Sequence, residues 1–535
     1  MTQEILFTDD ARAKLKAGVD KISKTVKATL GAKGRNILIE RENQEPIVTK
    51  DGVTVARSID FEDPIENMGA RLIKSIAHKT NEEAGDGTTT ATVLAQAIFD
   101  FGLKNIVSGA NPMDLKKGID KATKAVVARL KEISRPIGDF ENIKRIATIS
   151  ANGDEIIGEN ISGSIKLVSK DGVITISEAS GTETSVEVTE GMQFNKGYLS
   201  PYFVTDPAKM DVVFTNPLIL LCNKKITLAQ ELIKALEISV EAKRPLLIIT
   251  DELDQQALQI LIINKMQGTI SVAAVKAPNY GAIRKDMMQD IAILTGGYVI
   301  DDAMGMKLDQ VTIDQLGSAD KVIVTANDTT IIGGKGEKED IAQRIELIRE
   351  QIRNSFSEFD AEKIKERLAK MAGGVAIISV GGGSEVEMKE RKDRFEDALN
   401  ATRAAIAEGI IPGGGIALLR CIKSIDEVVF KNEDEKIGGE IIRKAIREPF
   451  VTIMMNAGLP VDVIYNNVIN TPNEMVIDHG YNVDTEKYEL FFDTGVIDPT
   501  KVTRVALENA ASVAGLLLTT EACVYNKKEK SDEKN

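Results

Sequence analysis

The residues best suited to chemistry are concentrated in one short stretch, GDGTTT at residues 85–90, which directly precedes a segment with helical apolar periodicity. Two glycines let backbone amides approach a ligand closely, and a helix N-terminus adds unpaired N–H groups and the positive end of the helix dipole. The threonine hydroxyls can donate to phosphate oxygens, and the Asp86 carboxylate can hold Mg²⁺. The stretch predicts a phosphate-binding turn, with a tight turn capped by threonine as an equally weighted alternative.

Two further places repeat this combination of glycine with hydroxyl or carboxyl groups. TLG at 29–31 ends the first predicted helix, and TKDG at 49–52 lies in a turn between extended segments, where Lys50 can face phosphate and Asp51 a metal or water. GGG at 413–415 is flexible enough to pass under a nucleotide. Asp397 lies on a charged predicted helix. The alternatives are ordinary turns at 29–31 and 49–52, a hinge at 413–415 and a solvated helix face at Asp397.

Composition excludes several other kinds of chemistry. The chain has two histidines and three cysteines without CxxC spacing, which disfavours a zinc enzyme or a Ser-His-Asp hydrolase. It contains neither GxxxxGK[ST] nor a GxGxxG between a strand and a helix. A net charge of −14 argues against a nucleic-acid or anionic-membrane partner, and no run of 18 apolar residues predicts a membrane span. The N-terminus lacks a basic-then-apolar layout, so we expect no signal peptide.

The elements that must position these residues follow from periodicity. The first third is mainly helical, and short strands and turns are expected from about 134 to 190. Alternating strands and helices then predict an α/β region up to about 375, and a helical pattern returns to about 524 with a hairpin near 475–493. Because both ends of the chain show helical patterns, we expect one domain that is built from the two termini. Helices are expected at 64–84, 88–109, 112–133, 228–243, 255–267, 282–294, 337–372 and 385–408, and strands at 172–177, 185–189, 246–250, 271–276 and 321–325.

Two helices of the α/β region are apolar on more than one face. In residues 258–263 five of six side chains are apolar, and the apolar set near 232–240 is similarly wide. The simpler interpretation is helices buried on all sides. The functional one is a pair of helices that present an apolar face to a partner.

Taken together, these pieces resemble the group I chaperonins, the GroEL-type sixty-kilodalton chaperonins of bacteria and organelles. The resemblance covers about residues 2–525. It rests on ATLGAKGRN at 28–36, TKDGVTVA at 49–56, NEEAGDGTTTATVLAQAI at 81–98, GANPMDLKKGIDKA at 109–122, ATISANGD at 147–154, GMQFNKGYLSPYF at 191–203, EVEMKERKDRFEDALNATRAA at 385–405, PGGGIALLR at 412–420 and DPTKVTR at 498–504.

The resemblance implies a multi-domain α+β fold with three parts. A mainly helical equatorial ATP-binding domain would comprise 1–132 and 408–525, and a small α+β intermediate hinge domain 133–189 and 375–407. A layered α/β apical domain would comprise 190–374, which binds substrate and co-chaperonin. Residues 526–535 would form a disordered charged tail.

It also implies a set of site residues. Asp51 and Asp397 would position and activate the attacking water, Asp86 would bind Mg²⁺, and Thr29, Lys50 and Thr89 would lie near K⁺. The ATP pocket would be lined by Thr29, Leu30, Gly31, Lys50, Gly52, Asp86, Gly87, Thr88, Thr89, Thr90, Ile149, Ser150, Gly413, Gly414, Asn482, Val483, Asp484 and Asp498. The substrate and co-chaperonin groove would be formed by Tyr198, Tyr202, Phe203, Ile233, Leu236, Leu258, Ile262 and Ile263.

The function so implied is ATP-dependent folding of non-native polypeptides in a ring cavity closed by a small co-chaperonin. The partners would be further copies of the chain in one or two seven-membered rings, the lid and the client, with no nucleic acid and no membrane. We expect a bacterial cytoplasmic location, with an organellar matrix as the alternative. The rival functions are a small-molecule kinase or ATPase and a scaffold protein that no longer cycles.

Two departures from the family pattern bear on the ATP pocket and on the ring contacts. The family usually has two small residues after the position of Asn482, where this chain has Val483 and Asp484. Val451 stands where the resemblance predicts an arginine that contacts a second ring. We expect a carboxylate near the base to weaken nucleotide binding or to alter its geometry.

Overall fold

A computed structural model describes residues 3–41, 44–151, 153–168, 172–179, 181–207, 209–354, 358–471 and 477–526. The predicted tail at 527–535 lies outside these residues. The described chain divides into two compact units, unit 1 comprising 1–162 and 393–535 and unit 2 comprising 163–392. No helix among the described residues is long and apolar enough to cross a membrane.

Helices predominate in the described residues, and short strands lie between some of them. The helices are α1 (Thr8–Lys27), α2 (Gly52–Ser58), α3 (Pro64–Ala84), α4 (Thr88–Val107), α5 (Pro112–Ile133), α6 (Phe140–Ser150), α7 (Glu155–Val168), α8 (Ile233–Ala242), α9 (Gln255–Met266), α10 (Gly281–Thr295), α11 (Lys338–Arg353), α12 (Glu358–Ala372), α13 (Glu385–Glu408), α14 (Ile416–Arg420), α15 (Glu433–Ala445), α16 (Glu448–Asn456), α17 (Val461–Ile469), α18 (Phe491–Thr494) and α19 (Thr500–Leu518). The strands are β1 (Gln3–Phe7), β2 (Ile37–Arg41), β3 (Gln44–Thr49), β4 (Val173–Glu178), β5 (Ser185–Thr189), β6 (Gly191–Phe194), β7 (Val212–Thr215), β8 (Leu218–Ile226), β9 (Leu246–Leu253), β10 (Val272–Lys276), β11 (Val299–Ile300), β12 (Gly317–Val324), β13 (Thr329–Gly334), β14 (Val375–Val380), β15 (Ile410–Pro412), β16 (His479–Asn482), β17 (Lys487–Leu490), β18 (Ile497–Pro499) and β19 (Ala522–Asn526).

Unit 1 is a helical body whose core is built from both ends of the chain. Helix α4 packs against α19, α1 against α3 and α5 against α15, and their apolar faces share one core. Two-stranded antiparallel sheets accompany the helices, and β1 pairs with β19 so that Gln3 lies opposite Asn526. The two ends of the chain are therefore joined by backbone hydrogen bonds as well as by core packing.

Unit 2 contains two sheets. The larger has eight strands in the order β10-β9-β8-β12-β13-β6, with β11 beside β8 and β7 beside β12. Strands β8, β9 and β10 are parallel, and their nearly continuous apolar sequences are buried between helices. The smaller sheet has the order β4-β14-β5. This mixture of helical and α/β parts confirms the predicted multi-domain α+β fold class.

Buried charge pairs tie three helices of unit 2 together. Asp290 on α10 is fully buried and accepts from Arg344 Nε at 2.7 Å and from Arg367 Nε at 2.6 Å. Arg367 on α12 also donates to Asp286 at 2.8 Å. Removing either arginine would leave a buried carboxylate without its full set of partners, which is destabilising.

The predicted elements agree well where local signals are strong. The helices expected at 64–84 and 112–133 are confirmed. They begin there because the side chains of Asp63 and Asn111 cap them and Pro64 and Pro112 occupy the first turn. The strand at 185–189 and the helix at 385–408 are also confirmed.

Three expectations were wrong. Residues 140–150 and 155–168 are helices inside the region expected to hold only strands and turns. The helix expected at 337–372 is two helices, α11 and α12. The helix expected at 228–243 begins as a 3₁₀ turn at Ala229–Leu232 and becomes α-helical only at Ile233.

Candidate functional site

The turn between α3 and α4 is built around Asp86. Gly85 and Gly87, on either side of it, both have positive φ angles, of 72° and 81°, which glycine adopts without strain. A side chain at Gly87 would also clash, since its Cβ would lie 2.6 Å from Val502 Cγ1. Gly87 is the residue before α4, so the first N–H groups of Thr88, Thr89 and Thr90 have no partner within the helix. The turn therefore presents a carboxylate beside free amide donors.

The second glycine turn meets the first. Asp51 precedes α2 and caps it, since its two carboxylate oxygens accept from Val53 N at 3.0 Å and from Thr54 N at 2.8 Å. A Cβ at Gly52 would lie 2.3 Å from Thr89 Oγ1, so the two turns are in close contact. Lys50 is exposed beside them. The structure thus brings together two of the predicted phosphate-binding motifs.

Four carboxyl groups from different elements influence one another here. Burial raises the pKa of Asp86 and the charge of Asp51 raises it further, against hydrogen bonds from Gly87 N–H and from Ser150 Oγ, the latter at 3.3 Å. Burial also raises the pKa of Asp397 well above its usual range, and the charges of Asp86 and Asp51 add to this effect. Burial, with a contribution from Asp86, raises the pKa of Asp498 to about 7.

This arrangement fits a divalent cation bound together with a phosphate. Among the described residues, no group of three or more His, Cys, Asp or Glu side chains forms an all-protein metal cage. Mg²⁺ commonly takes one or two carboxylates and completes its shell with phosphate oxygens and water. A cation at Asp86 would favour the charged form that burial and Asp51 disfavour, so the chemistry of this donor suits the ion.

The turn after α1 lies on α16. The helix ends at Lys27, so Thr29, Leu30 and Gly31 form the following turn, and the predicted helix end at Gly31 was placed too late. Asn456 Nδ2 on α16 donates to the carbonyl of Lys27 at 2.9 Å and to that of Leu30 at 2.8 Å. Sequence reasoning missed Asn456, because its partners lie more than 420 residues away.

The residues predicted to surround the base lie in or next to two antiparallel strand pairs and at the end of α6, all in unit 1. Strand β15 pairs with β18, and a Cβ at Gly413 would lie 3.1 Å from Asp498 Oδ1, so these two predicted residues are neighbours. Gly414 follows in the same turn. Ile149 is exposed at the end of α6, next to the Ser150 hydroxyl that donates to Asp86.

The hairpin β16–β17 carries the departure from the family pattern. Asn482 Nδ2 donates to Glu489 Oε2 at 2.9 Å, and Asn482 Oδ1 accepts from Asp484 N at 2.9 Å, so this side chain is engaged within the hairpin. Val483 is buried in an apolar cluster with Phe450 and Phe491. Its side chain therefore faces the core, and only its backbone remains for a ligand.

The predicted groove in unit 2 lies where α9 packs against the turns Pro201–Phe203 and Ala229–Leu232. Lys265 on α9 fixes the first turn, donating at 2.7 Å to the carbonyls of Tyr202 and Val204. One face of α9 is buried, since Leu261 lies in the core, and another face is exposed, since Ile260 and Ile263 are exposed. Each of the two interpretations of this helix, burial and presentation of an apolar face, therefore applies to one of its faces.

The eight predicted groove residues differ in exposure. Tyr202, Ile233 and Ile263 are exposed, and Tyr198, Leu258 and Ile262 are half-buried against the core. Phe203 and Leu236 are buried, so their side chains support the surface from below. Leu228 and Met266 are exposed apolar neighbours in sequence that the prediction omitted. The i+3 spacing of Ile260, Ile263 and Met266 along α9 is the signal that identifies Met266.

Comparison with known proteins gives one family and one fold. The model of the TCP-1/cpn60 chaperonin family matches residues 22–528, nearly the whole chain. Among solved structures, the chain is similar to the chaperonin gp146 from the bacteriophage EL 2 (Pseudomonas aeruginosa), crystallised in the presence of ATP-BeFx. The TM-score is 0.70 at 23% sequence identity, and the match covers 98% of this chain and 99% of that chain.

The raised pKa of Asp498 predicts a dependence of stability on pH. The folded protein holds the proton up to about pH 7, whereas an unfolded aspartate with the ordinary pKa of 3.8 releases it, so stability falls as pH rises between these values. In the nucleotide-free protein, Asp498→Asn should raise stability at pH 8 by up to about 4 kcal/mol, and little below pH 4. Thermal unfolding at pH 4, 6 and 8 measures this. Asp493→Asn, at an exposed position nearby, is the control; equal gains at both pH extremes would contradict the prediction.

Proposed function

The chain belongs to the TCP-1/cpn60 chaperonin family, and from that premise we propose that it is an ATP-driven chaperonin of the group I type. It captures non-native polypeptides on the apolar surface of unit 2 and hydrolyses ATP in unit 1. It encloses its clients in a cytoplasmic ring of seven copies, closed by a small co-chaperonin. The three-domain division inferred from the sequence is part of this proposal.

The observation that carries the proposal is the meeting of the two glycine turns around Asp86. The unpaired amides at the start of α4 and the hydroxyls of Thr88, Thr89 and Thr90 supply donors for a triphosphate. Gly52 contacts Thr89 directly, which leaves exposed Lys50 beside the same donors. The charge of Asp51 acts on Asp86, so both carboxyl groups would lie near a phosphate chain bound here.

Cations complete this site in the proposal. Asp86 would hold Mg²⁺, which when bound neutralises charge on the phosphates. Thr29, Lys50 and Thr89 would lie near K⁺, chiefly through backbone oxygens. The close contact of Gly52 with Thr89 supports a shared role for the turns that carry Lys50 and Thr89.

Asp51 and Asp397 are proposed to act on the attacking water. The carboxylate of Asp51 is fixed by two backbone N–H donors, so it can orient a water without moving. Burial and the neighbouring carboxyl charges raise the pKa of Asp397, so its carboxylate is a stronger base than that of an ordinary aspartate. Asp397 is thus the proposed base.

We expect Asp397→Ala to retain ATP binding and to lose turnover. Removing a general base typically slows the chemical step by about 10²–10⁴-fold, while the phosphate donors and Asp86 remain in place. Steady-state ATPase rates with Mg²⁺ and K⁺, together with calorimetric binding of ATP, separate the two effects. Glu385→Gln, at an exposed position in the first turn of α13, is the matched control. Near-normal turnover in Asp397→Ala would remove Asp397 from this role.

Client capture is proposed to use the exposed apolar side chains around α8 and α9. Ile233 and Ile263 are about half exposed, at 50% and 52%, on helices whose other faces are buried in the core of unit 2. Such side chains are available to bind apolar segments of an unfolded chain without loss of the fold.

Replacing Ile233 and Ile263 together by Ser should weaken capture of a chemically denatured test protein at least about tenfold, since each loses roughly 1–2 kcal/mol of apolar contact. ATP hydrolysis should stay within twofold of the parent. Suppression of client aggregation, monitored by light scattering, is the measurement. Val429→Ser, at an 83% exposed position in unit 1, is the control. Equal suppression by the double variant and the control would contradict the assignment.

Assembly provides the remaining test. Native mass measurement with and without ATP should give a species of seven copies or a multiple of seven, because the enclosure of a client requires a closed ring. A monomer or dimer under both conditions would favour an ordinary ATPase and would contradict the proposal.

A further inference from the structure

Two segments predicted to line the nucleotide pocket rest on the same helix. The turn at 28–31 is held on α16 by the two hydrogen bonds from Asn456, and Gly31 packs against Ile453, with a Cβ there lying 3.1 Å from the Ile453 side chain. The hairpin 479–490 rests on the same helix through Val483, which is buried with Phe450 and Met454. Helix α16 is therefore a common floor for both segments.

An ion pair joins these two segments at the solvent side. Lys33, in the loop after Gly31, lies with its Nζ 3.5 Å from Asp484 Oδ1 at the tip of the hairpin. The Asp484 main chain is fixed, because its N–H donates to Asn482 Oδ1 and Asn482 in turn donates to Glu489. Thr485 Oγ1 donates to the other Glu489 oxygen at 2.8 Å, so the tip is braced on both sides.

The exposure of the two side chains shows what kind of contact this is. Lys33 is 53% exposed and Asp484 63% exposed, so the pair can open and close in solvent without breaking the core below it. Exposed pairs are weak and are screened by salt. A contact of this kind adjusts a rate or a population and does not hold the fold together.

We propose that Lys33 and Asp484 form a latch that slows the release of bound nucleotide. The inference rests on the proposed ATP site, whose base end would lie between the two joined segments. Bound nucleotide leaves when the loop and the hairpin separate, and the ion pair opposes that separation. The carboxylate that departs from the family pattern is paired with Lys33, so it retains the base end of the ligand and does not repel it. Both are positioning residues and neither touches the reacting phosphate.

The test is the release rate of a fluorescent ADP analogue, displaced from the full-length protein by excess ADP in stopped-flow measurements. Asp484→Asn and Lys33→Gln should each release it about two- to fivefold faster at low ionic strength, which is the range expected for one exposed pair. The exchanged pair, Lys33→Glu with Asp484→Lys, should restore slow release. At about 0.5 M salt the parent should approach the rates of the single variants.

Control variants separate a latch from a general effect of charge. Lys487→Gln removes a charge at an exposed position of the same hairpin. Lys24→Gln removes a charge at an exposed position of α1. Neither should alter release. Single variants that release the analogue at the parent rate, or an exchanged pair that stays fast, would overturn the latch while the ATP site stands. Absence of saturable binding to the parent protein would overturn the ATP site and the latch together.

Discussion

Repulsion among partly buried carboxyl groups is the constraint on which the rest of unit 1 depends. Asp51, Asp86, Asp397 and Asp498 come from four elements, and each of the last three has its pKa raised by burial and by at least one other carboxyl. Left to themselves these groups would separate. They stay together because the helices that carry them share one packed core, and a packed core resists displacement.

The packing that holds these carboxyl groups close together leaves no room for side chains at Gly85 and Gly87. Gly87 has room for no side chain because Val502 on α19 fills the space, and Gly85 is similarly confined by Asn400 on α13. Since α4 packs along α19, the end of the chain fixes the turn that carries Asp86. The free energy of core burial therefore offsets the repulsion, and a bound cation and phosphate would relieve what remains.

Local signals were sufficient for much of the fold and for the outline of the site. Apolar periodicity located α3 and α5, whose first turns the structure shows to be fixed by side-chain caps followed by proline, and the glycine, threonine and aspartate motifs located both turns. Helices α6 and α7 were missed, although Asp139 caps α6, because short amphipathic helices between polar turns resemble strands and turns in composition. Because α6 and α7 are short, apolar periodicity did not predict them.

Contacts between distant residues could not be predicted from spacing at all. The pairing of β1 with β19 joins residues more than 500 positions apart, and Asn456 acts on carbonyls more than 420 positions away. The meeting of Gly52 with Thr89 depends on the packing of α2, α3 and α4. Likewise, an apolar run such as 258–263 does not reveal which side chains face the core, because the sheet below α9 makes that choice.

Helix α13 contains residues of both compact units. It is one 24-residue helix, and the boundary between the compact units falls within it, five residues before Asp397. Asp397 therefore lies on the same helix as residues of unit 2. Since the charges of Asp86 and Asp51 raise the pKa of Asp397, a displacement of α13 that moves Asp397 changes the repulsion between these carboxyl groups. Conversely, in the proposed ATP site a cation bound at Asp86 would relieve this repulsion and would favour the position of α13 that holds Asp397 close. Occupancy of the cluster and the course of α13 are then linked by the same electrostatic free energy, and the linkage is reciprocal.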